Sequence, residues 1–329
     1  MPLSLHVDGH KWRSHLGQML SAKPGLVPVV KGNGYGFGLE LLAAESTRLG
    51  VETIAVGLAS EVVKVRAAFA GDIVILSPDQ MSIDLTDSKI IHTVSSLKVL
   101  QSIDAKINVI VEILTPLNRH GIDLSDLIQA LAIIKDRGLV HRGFTLHLPI
   151  AKINSKWVGS TLRNLPDGSS VWISHLHEAD RIKREFPKLI FRERIGTSLW
   201  LGADSALEAT ATVLENRKIQ GLAGYQQRRA RGNVIVASGG TAHGIGLTAP
   251  QNDHSLLGRI KIIVRTLELA FGRMRSPYRH NGKTLDFLES PHMQCSLLIC
   301  SGSNQPKPSD ELKVRVRYTT TTFEQIIFR

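Results

Sequence analysis

Residues 26–38 read Leu-Val-Pro-Val-Val-Lys-Gly-Asn-Gly-Tyr-Gly-Phe-Gly. An unbroken apolar run closes on a lysine, and glycines follow at alternate positions. Apolar residues without polar alternation suit a strand covered on both faces. The glycines lack the G-x-G-x-x-G spacing of a dinucleotide-binding turn. That favours a closed barrel over an open doubly wound sheet.

Working outward, similar β-rich runs occupy 53–57, 72–77, 89–94, 107–114, 143–148, 170–174 and 189–194. Helix-like stretches separate them at 39–49, 60–69, near 81–88, 96–103, 124–135, 152–165 and 176–186, and another at 203–215 follows the last strand. Eight strands alternating with helices predict an α/β fold, a (β/α)8 barrel. After residue 215 the pattern changes. Runs at 233–237, 258–264, 294–300 and 312–318 are separated by turn clusters, among them 301–309 with its two prolines. These predict a smaller, mostly β C-terminal domain.

The chain has 329 residues, enough for two domains, and 43% hydrophobic with 21% charged residues excludes disordered and collagen-like classes. No run approaches the roughly 18 apolar residues of a membrane span. The N-terminus lacks the charged-then-apolar order of a secretory leader. Two cysteines, Cys295 and Cys300, make no disulfide framework. A cytoplasmic protein without a membrane span is the expectation. Net charge is +11, and residues 216–329 hold 17 of the basic but only 7 of the acidic side chains. An anionic partner or substrate on the second domain follows from that asymmetry. Nucleic acid is not expected, because no basic run is interleaved with aromatics and no zinc-finger spacing occurs. His292 and Cys295 are too few ligands for zinc, so no metal is expected.

In a barrel, the C-terminal ends of the strands form the reactive face. Strand one ends at Lys31, strand five leads to Asn118-Arg119-His120-Gly121, and strand six ends near His147. Strand seven ends at Ser174-His175 and strand eight at Arg194, followed by Gly196-Thr197. A lysine closing an apolar strand is partly desolvated, which lowers its pKa and suits it to condensing with an aldehyde. A glycine and a hydroxyl residue after the last strand are where barrels commonly bind phosphate. Together these features point to pyridoxal 5'-phosphate (PLP).

At these residues the sequence resembles the alanine racemase family, fold-type III PLP enzymes with an N-terminal barrel and a C-terminal β domain. Residues 29–38, Val-Val-Lys-Gly-Asn-Gly-Tyr-Gly-Phe-Gly, are similar to that family's V-K-A-x-A-Y-G-H-G. The resemblance implies a PLP-binding barrel over 10–215 and a β domain over 216–329 that takes in residues 1–9. It implies that Lys31 carries the cofactor and acts as a catalytic base, and that Tyr35 bonds the phosphate. The stretch 114–121 resembles D-T-G-M-N-R-L-G, so Arg119 would meet the cofactor's phenolic oxygen and the substrate carboxylate. Glu112 stands where the family often has a carbamylated lysine that orients this arginine. His147 resembles the histidine beside the cofactor ring, and Ser174 the phosphate-binding serine. The stretch 194–200 resembles R-P-G-I-A-L-Y, which places Arg194 against the pyridine nitrogen and the backbone of Gly196 and Thr197 at the phosphate. Arginine stays protonated, so the ring is a poorer electron sink, suited to simple proton removal and return. Fold-type III decarboxylases carry an acidic residue there and an H-x-G-S motif, both missing here.

The C-terminal half departs from the pattern. The family's second base is the tyrosine of G-Y-A-D-G, reaching a partner subunit's site. Here the stretch is Gly240-Thr241-Ala242-His243-Gly244. Thr241 is too weakly acidic for a general base, and His243, two positions on, is the candidate replacement. The tyrosine of I-P-Y-E corresponds to Phe323. The S-M-D-Q motif corresponds to His292-Met293-Gln294-Cys295, keeping Met293 for the substrate carboxylate. The resemblance therefore implies a homodimeric amino-acid racemase or epimerase, with D-alanine and L-alanine first among substrates. Two alternatives stay open: PLP chemistry without racemisation on a larger anionic amino-acid conjugate, and a non-catalytic PLP-binding protein.

Overall fold

The computed structural model describes residues 2–79, 87–103, 106–151, 154–247, 258, 260, 262–264, 266–267, 274–301 and 304–329. It divides into two compact units. One holds 14–34 and 38–202, and the other 1–13, 35–37 and 203–329.

The chain opens with β1 (Leu3–Val7) and helix α1 (Gly9–Ala22). Eight parallel strands follow: β2 (Val27–Pro28), β3 (Thr53–Val56), β4 (Asp72–Ile75), β5 (Ile90–Val94), β6 (Asn108–Glu112), β7 (Val140–His147), β8 (Ser170–Ser174) and β9 (Ile190–Ile195). Their order is β2-β9-β8-β7-β6-β5-β4-β3, and a parallel bridge from Val29 to Ala55 joins the two ends into a ring. Between strands lie α2 (Leu39–Arg48), α3 (Val62–Arg66), α4 (Leu97–Ser102), α5 (Leu127–Asp136), α6 (Ser155–Arg163) and α7 (Ala179–Glu185), and α8 (Thr197–Trp200) follows β9. The (β/α)8 barrel is as expected, with every strand close to its predicted place.

Alternation along each strand divides the barrel's side chains into two sets. Val109, Val111, Phe144, Leu146, Val171, Ile173 and Phe191 pack outward with helix residues such as Leu100, Ala130 and Leu162. Val29, Ala55, Val74, Ile91, Ile110 and Trp172 fill the interior. The interior parity then continues upward to polar residues: Val29 to Lys31, Ile110 to Glu112, Thr145 to His147, and Trp172 to Ser174. Arg192 lies over the Trp172 ring at 5.0 Å, so Arg194 shares that parity too. Trp200, fully buried, donates its indole N–H to the Val29 carbonyl at 2.8 Å and ties α8 to the short first strand.

The second unit is a mostly antiparallel β structure built from β1 with β10 (Leu207–Ala223), β11 (Arg228–Ser238), β12 (Met274–His280), β13 (Lys283–Phe287), β14 (Cys295–Cys300), β15 (Glu311–Val314) and β16 (Gln325–Phe328), of which β16 pairs with β1 in parallel. Residues 203–215, expected to be helical, instead lead into β10. The alternation Ala209-Thr210-Ala211-Thr212-Val213 has the period of a strand, and these residues pair with β1 and β15. A bulge at Leu214 then bends β10 toward β11. The border drawn at residue 215 therefore falls inside a strand, and the compact unit begins at Ala203. The run 258–264 was expected as a strand, but its described residues are helical. The helix expected near 81–88 lies mostly outside the described residues. Among the described residues no helix is long and apolar enough to cross a membrane.

Candidate functional site

Lys31, Glu112, His147, Ser174 and Arg194 stand at or just beyond the C-terminal ends of β2, β6, β7, β8 and β9, so the ring brings together residues up to 163 positions apart in sequence. Backbone strain gathers at the same end. Five of the eight described non-glycine residues with positive φ follow barrel strands here: Tyr35, Asp79, Asn118, His175 and Glu178. Such conformations cost about 1–3 kcal/mol each and persist where surrounding structure imposes them.

The loop after Lys31 is held by a residue the sequence reading passed over. Glu61 Oε1 accepts the Gly32 N–H at 2.7 Å, and Oε2 accepts those of Gly57 and Leu58 at 2.7 and 3.0 Å. Three backbone donors on one carboxylate fix the loop. Its position at the start of a helical stretch carried no signal of this. Gly34 has φ +61, and a Cβ there would lie 2.9 Å from the Leu39 nitrogen, so glycine is required. Tyr35, buried, belongs with the second unit by its contacts.

Arg119 lies on an exposed excursion from β6 whose ends are closed by Leu114 N–H to Ile122 O and Ile122 N–H to Glu112 O. Thr115 Oγ1 donates to the His147 carbonyl at 2.7 Å, linking this loop to β7. Gly196 and Thr197 begin α8, whose first N–H groups have no partner inside the turn.

The charges are unbalanced. Burial lowers the Lys31 pKa, and the Arg119 and Arg194 guanidinium groups lower it further. Burial raises Glu112, against the opposing pull of Arg194 and Arg119. Burial also pushes Arg194 down to about 10, with Glu112 as its opposite charge. Among the described residues, three buried polar atoms here have no hydrogen-bond partner: Glu112 Oε2, Thr145 Oγ1 and Arg194 Nε. Glu112 and Thr145 are neighbours across the β6–β7 pairing. Unsatisfied buried groups are costly, so a group that supplied complementary atoms would be bound firmly.

His147 is pushed down to about 3, by burial first and then by Arg194, Arg119, His175 and Lys31. The unfolded chain takes a proton on this residue near pH 6.5, whereas the folded one must keep it neutral. The depressed value therefore lowers stability progressively as pH falls from about 6.5 toward 3. His147→Gln is expected to lose less stability than wild type across that window. Urea midpoints at neutral and mildly acidic pH would show it, and equal losses in both proteins would refute it.

In the second unit, Thr241, Ala242 and His243 form a single turn. Thr241 N–H and Oγ1 both meet the His292 carbonyl, at 2.8 and 3.4 Å. His243 Nδ1 accepts the Gly240 N–H at 3.2 Å, which leaves the neutral ring's proton on Nε2, 3.9 Å from Glu324 Oε1. His243 thus fastens its own turn. Met293 is exposed, and its carbonyl accepts the Ala242 N–H.

Comparison with known proteins places these features among relatives. Residues 10–165 match the family model described as alanine racemase, N-terminal domain. A curated alanine racemase of Campylobacter curvus is 32% identical over 119 residues, 36% of this chain; the match spans 34% of that protein, about a third of its length. Among solved structures, alanine racemase of Bartonella henselae with covalently bound pyridoxal phosphate is similar with a TM-score of 0.73 at 16% identity, covering 100% of both chains. That of Clostridium difficile 630 gives a TM-score of 0.68 at 16% identity, covering 95% of this chain and 87% of its own. The Enterococcus protein (E. faecalis) gives 0.68 at 16%, covering 100% and 98%. At such identity the solved structures speak for the fold.

Proposed function

We propose that this chain, whose residues 10–165 match the family model described as alanine racemase, N-terminal domain, is a PLP-dependent racemase or epimerase that removes and returns the Cα proton of an amino acid. The observation that carries this reading is the cluster at the barrel's strand ends. A lysine of lowered pKa, two arginines and a single buried carboxylate leave a surplus of positive charge, and the unpaired Arg194 Nε, Thr145 Oγ1 and Glu112 Oε2 await polar partners. An anionic, aldehyde-bearing ring with polar substituents fits that set. Bound there, PLP would supply an electrophilic carbon for amines and a ring that draws electrons from Cα.

The chain's own residues divide the work. Lys31, with its lowered pKa, keeps more of its Nζ neutral than an ordinary lysine, so that nitrogen can hold the cofactor and then take a proton. Arg119 offers a two-pronged guanidinium to a carboxylate, and Glu112 supplies the counter-charge that steadies both arginines. Arg194, whose Nη2 donates to the Leu146 carbonyl at 3.1 Å, is held in place to face the ring nitrogen, with His147 beside it. Ser174 and the Gly196–Thr197 backbone would take the phosphate. Met293 meets the substrate carboxylate from a second copy, in a homodimer.

Amino-acid Cα–H exchange in heavy water with a chiral readout tests this, with PLP added and L- and D-alanine leading the panel. Exchange with inversion is the expected result; no exchange with any amino acid would refute it. His243→Gln is a direct test of the histidine singled out by resemblance. A second base would lose inversion and keep the cofactor. The bonded geometry leads us to expect instead that inversion persists, with about 1 kcal/mol of stability lost.

One feature favours the reading with a larger anionic substrate. The β10–β11 hairpin exposes Lys218, Arg229 and Arg231, whereas Ala223, Ala230 and Val234 are buried. Exchange confined to anionic amino-acid conjugates would support it.

A further inference from the structure

Inversion at carbon needs two proton-handling groups, one on each face. If the proposed function holds, Lys31 is one of them, and the structure narrows the search for the other. Thr241 has its hydroxyl against the His292 carbonyl, and His243 is bonded into its own turn. Within the barrel, His147 is held neutral by burial and by the cations around it, and its ring lies deeper than that of its neighbour.

That neighbour is His175. It follows β8 directly, two strands round the ring from Lys31, with β9 and Arg194 between them. Its backbone is left-handed, φ +57, a conformation that costs an L-residue about 1–2 kcal/mol and that the fold nevertheless maintains. Its ring packs edge-on to His147, with centroids 5.8 Å apart. The residue is exposed to solvent, and among the described residues neither ring nitrogen has a hydrogen-bond partner. Partial burial comes first, then Arg194, His177 and Lys31, in lowering its pKa, and His147 faces it as a further titratable group. An accessible, unbonded imidazole at the strand ends, its pKa lowered from the usual histidine value, can accept a proton and exchange it with water.

We infer that His175 is a second acid–base residue of the barrel, working on the face of Cα opposite Lys31, so that inversion requires no base from the second unit. In one direction the Cα–H bond breaks and the proton goes to a His175 ring nitrogen, while Lys31 Nζ delivers a proton to the other face. The reverse direction exchanges the two roles, and no co-reactant is consumed. This inference rests on the proposed PLP chemistry, and the tests separate the two.

In the cofactor-free protein, an NMR titration of the His175 ring is expected to have its midpoint below about 6.5. Lys31→Ala is expected to raise that midpoint, because it removes a facing cation. A midpoint unmoved by that change overturns the placement of His175 beside Lys31. In the PLP-loaded enzyme, His175→Gln is expected to keep heavy-water exchange with retained configuration and to lose inversion by about 100-fold or more. Inversion at the wild-type rate in His175→Gln overturns the inference and leaves the PLP reading standing. Wild-type exchange with retention does the same. A wild-type protein that takes up no PLP and exchanges no substrate fails the proposed function, and the inference falls with it.

Discussion

Lys31→Ala is expected to abolish covalent retention of added PLP and to reduce Cα–H exchange by about a thousandfold or more. Two losses combine. The variant has no amine to anchor the cofactor, and it has no base within the cluster on that face; a positioned acid–base group alone contributes roughly 10²–10⁴. The surroundings remain. Glu61 still accepts the N–H groups of Gly32, Gly57 and Leu58, because those bonds involve backbone rather than the Lys31 side chain. The folded structure should therefore survive. Borohydride reduction followed by peptide mapping measures the first effect: wild type should carry the pyridoxyl group at residue 31 and the variant at none. Because burial and two guanidinium groups lower the Lys31 pKa, labelling of wild type should already proceed at a pH where an exposed lysine is almost wholly protonated. A Lys31→Ala protein that retains PLP covalently, or exchanges at the wild-type rate, would remove Lys31 from its role.

Arg194→Ala is expected to cost about 1–3 kcal/mol at neutral pH, the range for leaving a buried polar group without compensation, because it takes from Glu112 the foremost charge that offsets its burial. Arg194 and Glu112 are both almost completely buried, at 6% and 4% exposure. Arg194 is the foremost charge opposing the rise in the Glu112 pKa. Without it Glu112 faces only Arg119 and His120 as favourable charges, and its pKa must climb further. A carboxyl raised in the folded state above its unfolded value of about 4.3 stabilises the fold fully below that value. The contribution disappears as pH rises through the folded pKa. The variant's deficit should therefore shrink toward pH 4 and grow toward pH 7. Denaturant unfolding at the two pH values measures it. A deficit independent of pH would mean that Glu112 does not depend on Arg194, and Arg194→Ala combined with Glu112→Gln should recover part of the loss.

Much of the barrel was legible because its strands are buried on both faces. Residues 53–56, 72–75 and 90–94 carry nine apolar side chains among thirteen, and such runs alternating with helical stretches admit few layouts. The strand ends were legible for a related reason: a lysine, a histidine or an arginine closing an apolar run interrupts the pattern that the core demands. The second unit was harder. The stretch 203–215 contains alanines and a glutamate compatible with a helix, and only its pairing with β1 and β15, more than 90 residues away in either direction, settled it as a strand. Helix α1 and the four-residue α8 were not foreseen either, although Trp12, Leu16, Met19 and Leu20 of α1 fall at helical spacing.

What the sequence determined alone is the set of elements, their period and the chemistry available at their ends. What only the tertiary structure decided is which of those groups are bonded and which remain available. His243 and His175 are both histidines beside small or hydroxyl residues, and sequence pattern favours the first. Folding gives the first a backbone N–H on Nδ1 and leaves the second in a left-handed turn with no bonded partner among the described residues. Glu61 became an anchor for the lysine loop in the same way. The physical reason is that hydrogen bonds and charge–charge interactions depend on separations of a few ångströms, and those separations arise between residues that chain closure, not sequence proximity, brings together.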